Sequence, residues 1–169
     1  MKRVLHVLVG LFCFALVGCS VASNEMAAGN IFDINHVEGT AINWFSVNGY
    51  RASGGGGFQC CIVLPIRWRP GLIVNIEWEV DPNANAKIKR KTKGYGFDDA
   101  AWAEHESKFK MNRTSVEIPE WPGTKSCSLK VHFLPCQQVK VTTSCWAFTS
   151  PNYPIKEPLY MKEPAVCPK

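Results

Sequence analysis

The stretch CSLKVHFLPCQQVKVTTSC, residues 127–145, constrains the fold more than any other part of this 169-residue chain. Leu129, Val131 and Phe133 alternate with Ser128, Lys130 and His132, and Val139 and Val141 alternate with Gln138, Lys140 and Thr142. A period of two marks a strand with one buried face. Folded about Cys136, the two halves bring Phe133 opposite Val139, Val131 opposite Val141 and Leu129 opposite Thr143. The same register sets Cys127 against Cys145. Opposed residues of an antiparallel pair have Cα atoms about 4.5–5.5 Å apart, within the span of a disulfide. This register supports a Cys127–Cys145 bridge; a Cys127–Cys136 bridge stands as the alternative.

Whether cysteines oxidise depends on compartment, and the N-terminus speaks to that. Lys2 and Arg3 precede an apolar run from Val4 to Val17 that is broken only by His6 and Gly10. A transmembrane helix needs about 20 apolar residues, so this run reads as an export signal. Its end, Leu16-Val17-Gly18-Cys19, resembles the lipobox of bacterial lipoproteins. That resemblance implies cleavage before Cys19, acylation of its thiol and of the new amino group, and anchorage by acyl chains each contributing about 0.8 kcal/mol per buried CH2. Ser20 stands where inner-membrane retention uses aspartate, which favours an envelope protein held at the outer membrane and facing the periplasm.

Loss of residues 1–18 removes Lys2 and Arg3, so the formal net charge falls from +5 to +3. So mild a balance gives no ground for nucleic-acid binding. The signal also takes Cys13, and lipidation takes Cys19, leaving Cys60, Cys61, Cys127, Cys136, Cys145 and Cys167 as disulfide candidates. Adjacent Cys60 and Cys61 point to opposite faces if they lie in a strand, which predicts two different partners.

Strand signals recur elsewhere. AINWFSV (41–47) ends at the turn dipeptide Asn48-Gly49, FQCCIVLPIRW (58–68) ends at Arg69-Pro70-Gly71, and TSVEIPEW (114–121) is stopped by Pro119. In LIVNIEWEV (72–80), Leu72, Val74, Ile76, Trp78 and Val80 share one face, with Glu77 and Glu79 on the other. FDDAAWAEHESKFK (97–110) is the helical candidate, with Asp98 or Asp99 as cap. The expected fold is mainly β: a small antiparallel β-sandwich or barrel with one short helix, stapled by disulfides. The expected organisation is a signal at 1–18, a lipidated linker at 19–37, a β-rich domain at 38–150 and a Pro-rich tail at 151–169 running over the surface.

No catalytic constellation emerges. GGGG (54–57) lacks the Lys-Ser/Thr of a phosphate loop and precedes a strand, which favours a bulge or a close backbone approach. Glu77 and Glu79 are spaced like glycosidase carboxylates, but two glutamates on a wet strand face are ordinary. His36, His105 and His132 are scattered and read as solvated. We expect no enzyme, no cofactor and no metal site. The polar run 81–96 carries Lys87, Lys89, Arg90 and Lys91; beside Tyr95 and Trp102 these form the candidate contact with an acidic partner or anionic lipid.

From Asn48 to Pro82 the chain reads NGYRASGGGGFQCCIVLPIRWRPGLIVNIEWEVDP. Its Gly-Tyr, glycine run, Cys-Cys, Trp, Pro-Gly and second Trp, with the later HFLP at 132–135, resemble a family of small Gram-negative lipoproteins known as a domain of unknown function. Genes of that family recur beside type VI secretion lipase effectors. The resemblance implies a membrane-anchored immunity protein that binds and neutralises a phospholipase effector. It carries over no binding residues. An accessory envelope lipoprotein without a toxin partner is the alternative.

Overall fold

The computed structural model describes residues 25–168; the signal segment and Cys19 lie outside them. Eight strands form two sheets: β1 (Met26–Asn35), β2 (Ala41–Val47), β3 (Tyr50–Ser53), β4 (Gln59–Pro65), β5 (Ile73–Asp81), β6 (Lys110–Glu117), β7 (Leu129–Phe133) and β8 (Val139–Thr142). One sheet runs β4-β1-β7-β8 and the other β3-β2-β5-β6. Among the described residues the one α-helix, α1 (Asp99–Glu106), lies between β5 and β6. Among the described residues no helix is long and apolar enough to cross a membrane.

The expected sandwich stands. Ile31, Leu129, Val131 and Phe133 of the first sheet meet Phe45, Val47, Val74, Ile76 and Trp78 of the second in one apolar core. Phe133 packs across it, with ring centroids 5.9 Å from Phe45 and 5.3 Å from Trp78. Aromatic pairs at such separations add to the burial itself. The indoles at the rim also find partners, Trp68 Nε1 donating to the Ile118 carbonyl at 2.8 Å and Trp121 Nε1 to that of Ile66 at 3.3 Å.

The 127–145 register is the one expected: Val131 faces Val141 and Phe133 faces Val139. Cys127 and Cys145 are bonded, their Cα atoms 5.1 Å apart. Cys136 instead pairs with Cys167, Cα to Cα 5.4 Å, which removes the Cys127–Cys136 alternative.

Three expectations need correction. The stretch expected as a linker at 19–37 contains β1, a central strand of its sheet. Its pairing with β7 is parallel, the one such ladder among the described residues. The strand was hidden because both of its faces are covered at its C-terminal end, so Ile31, Phe32 and Ile34 do not alternate with polar residues as a one-sided strand would. Second, Cys60 and Cys61 are bonded to each other across a cis peptide and not to separate partners. Bonded to each other, the two sulfurs have no valence left for separate partners.

The third correction concerns the histidines beneath the tail. The tail runs over the surface as expected and forms a partial third layer on the outer face of the β4-β1-β7-β8 sheet. Tyr153 is buried there, its hydroxyl 2.6 Å from His132 Nε2, and Lys140 pairs with Glu157. Beyond it Glu38 N donates to the Met161 carbonyl at 2.8 Å, and Met161 N to that of His36 at 2.7 Å. The histidines under this layer are therefore buried, not solvated.

Candidate functional site

Between β5 and β6 the chain makes an excursion, residues 82–109, that contains every residue of the expected contact. Its root is fixed by a buried pair, His105 Nε2 of α1 lying 2.9 Å from Asp81 Oδ2 at the end of β5. Asp81 Oδ1 also accepts from Asn83 N at 2.8 Å, turning the chain out of the sheet. His105, read from sequence as solvated, is thus an anchor.

The start of α1 is built from local sequence. Asp98 is the N-cap, its Oδ1 accepting from Ala101 N at 3.2 Å. Phe97 before the cap and Trp102 after it stack with centroids 5.4 Å apart and planes 5° from parallel. This is the hydrophobic staple that fixes a helix's angle of approach. Phe109 closes the cluster, edge-on to Trp102 at 6.2 Å and to His105 at 5.4 Å. Phe97 and Phe109 were missed as site residues, although an apolar residue before an Asp cap, paired with one at the fourth helical position, was a readable signal.

The basic loop folds back on this cluster. Arg90 and Phe97 form an isolated bridge, and the Arg90 guanidinium lies 5.5 Å from the Phe97 ring centroid. Lys91 pairs with Asp99 at 2.8 Å and Lys89 with Asp98 at 3.9 Å. Lys87 and Lys93 have no ion pair among the described residues. Tyr95 at the tip is fully exposed and Trp102 partly so, at 37%. The structure therefore brings Arg90 and Trp102 together through Phe97, ties Lys89 and Lys91 to the helix start, and leaves Lys87 and Tyr95 in solvent. Such a mixture of presented aromatics and cations suits protein contact better than catalysis.

A second cluster escaped the sequence reading. His36, just past β1, and His132 of β7 lie with Nε2 and Nδ1 2.8 Å apart. His36 Nδ1 is 2.6 Å from the Pro158 carbonyl, and His132 Nε2 is 2.6 Å from the Tyr153 hydroxyl. A carbonyl only accepts, so His36 Nδ1 carries hydrogen. In the neutral relay Tyr153 then donates to His132, and His132 to His36. Burial, reinforced by His36 and by the Lys130 and Lys140 charges against Glu157, lowers the His132 pKa to about 3. Burial likewise raises that of Tyr153 and lowers that of Lys130. The three rings are all but inaccessible, His36 at 2% and His132 and Tyr153 at 1%, so the relay holds the tail and does not meet a substrate.

The glycine run is also scaffold. A Cβ on Gly54 would sit 1.7 Å from the Ile42 carbonyl oxygen, so the loop passes β2 where only glycine fits. Gly55 N and Gly56 N donate to the two Asp33 oxygens at 3.1 and 3.0 Å. Burial raises the Asp33 pKa while these donors pull it down. Glu77 and Glu79 lie on the outer face of the second sheet, Glu79 accepting from Asn43 Nδ2 at 3.1 Å and Glu77 opposite Arg113. Glu77 lines two surface depressions, and Glu79 lines neither.

A family model described as protein of unknown function (DUF3304) matches residues 34–141, more than half of the chain. No curated protein and no solved structure matches it.

Proposed function

We propose that this chain, which belongs to the DUF3304 family of proteins of unknown function, is a non-catalytic binding protein of the cell envelope. In this reading it is anchored through Cys19 and neutralises a phospholipase effector of type VI secretion by binding it. The observation that carries the proposal is the excursion between β5 and β6. An inhibitor needs a preorganised surface, because ordering loops on binding costs affinity. The excursion is preorganised at its root by His105 and Asp81 and at its helix by the Phe97–Trp102 staple, and it still presents cations and rings outward. The effector class comes from the sequence resemblance. An acyl anchor would concentrate the inhibitor at the membrane its target attacks.

The test is protection in cells. A lipase-like gene neighbouring this one is expressed with its product directed to the periplasm, with and without the full chain. Survival that depends on the chain, and is lost on Cys19→Ala, is the expected result. Equal killing in both strains would return the chain to an accessory lipoprotein of the envelope.

A further inference from the structure

We propose that the open end of the sandwich beside the excursion is the docking surface, and that its occupant is an acidic protein segment inserting one large apolar side chain. This rests on the reading that the chain acts by binding a protein, and it names the contact. Between the sheets at this end lies a cavity of about 240 Å3. Trp78, Phe133, Ile42 and Val80 give it apolar walls, and Lys110 and Glu163 stand among its lining residues. Small-molecule sites usually span about 300–1,000 Å3, so this one suits a single side chain better than a cofactor. Interfaces draw most of their affinity from such buried anchors.

Charge chooses the partner's chemistry. The excursion leaves from Pro82 and returns at Lys110, and both residues line the cavity. Between Pro82 and Phe97 the chain carries Lys87, Lys89, Arg90, Lys91 and Lys93 and no carboxylate. Asp98 and Asp99 engage two of these cations; with Lys108, Glu104 and Glu106 counted, residues 82–109 carry six cations and four carboxylates, a net charge of +2, to which Lys110 in the cavity lining adds one. On the tail side stand Glu38 and Glu163, the latter accepting from Cys136 N at 2.8 Å. One lip is basic and the other acidic, so the segment docks in one direction, its carboxylates toward the excursion. An anionic bilayer would meet the cations but has no use for an apolar cavity of single-residue size.

The experiment titrates the isotope-labelled full chain in detergent with the peptide acetyl-Asp-Glu-Phe-Gly-Ser-amide, whose carboxylates lie on one side of the anchor only, reading the Trp78 indole and Asn112 side-chain resonances. Saturable shifts are expected, weakened about tenfold or more when the peptide's Phe is replaced by Ala, the loss typical of an anchor residue. Lys87→Glu with Lys93→Glu is expected to weaken binding by a similar factor, and Asn112→Trp, which fills the mouth, to abolish it. The paired lysine change lies on exposed loop and keeps the test valid if the tryptophan variant misfolds. No shift at the cavity, equal shifts with the Ala peptide, or perturbation only by phosphatidylglycerol vesicles overturns the proposal. The peptide assay contains no lipase. A chain that takes the peptide but leaves the lipase active would refute the immunity reading alone, and variants that lose the peptide but still silence the lipase would refute the cavity alone.

Discussion

His132 shows how far a residue's role depends on what lies over it. In sequence it sits on the polar side of an alternating strand; in the fold that side is covered by the tail, and both ring nitrogens are engaged. The native His132 pKa of about 3 lies below the ordinary 6.5, so the unfolded chain takes up a proton first as pH falls. Stability is therefore lost progressively from about pH 6.5 toward pH 3, by up to about 1.4 kcal/mol per pH unit from this group. Asp33, whose pKa is raised, acts with the opposite sign and offsets part of the loss. Denaturant unfolding across this range should show a shallower pH slope in His132→Gln than in the parent; equal slopes would remove His132 as the cause. Tyr153→Phe leaves His132 Nε2 unpaired and should cost about 1–3 kcal/mol at neutral pH by the same assay. Gly54→Ala should cost roughly 2 kcal/mol or more, because its Cβ has no room beside the Ile42 carbonyl.

Elements were legible where local pattern and tertiary environment agree. The β7–β8 register and the Cys127–Cys145 bridge followed from alternation because one face of that hairpin is core. The Asp98 cap was likewise readable, since it is satisfied within four residues of sequence. β1 was not, because its interior stretch is covered on both sides, and the Cys136–Cys167 clasp was not, because it joins a turn to a segment far along the chain. That clasp carries a prediction at its own scale. Replacing Cys136 and Cys167 with Ser should cost about 2–4 kcal/mol. It should also expose the segment from Pro151 to limited proteolysis before the strands are cut, as mass spectrometry of the fragments would show. Uniform digestion would mean that the tail layer is held without the clasp.

As a whole, the molecule is a disulfide-tied sandwich with two additions: a tail that covers one sheet and an excursion that extends from one end. The sandwich was foreseen from strand count and turn chemistry, and the excursion's cations were visible as a basic run. The cavity at the excursion's root was not, since that depends on where β5 and β6 end in space. Scaffold and excursion, together with the proposed anchor, suit the proposed role of holding another protein at a membrane. The most direct measurement is calorimetric titration of the purified full chain with the lipase-like product of a neighbouring gene, followed by a phospholipase assay of the mixture. A saturable complex with lost lipase activity, weakened when Lys87 and Lys93 are both changed to Glu, is the predicted result; a folded chain that gives no heat at micromolar concentrations and leaves the lipase active would contradict it.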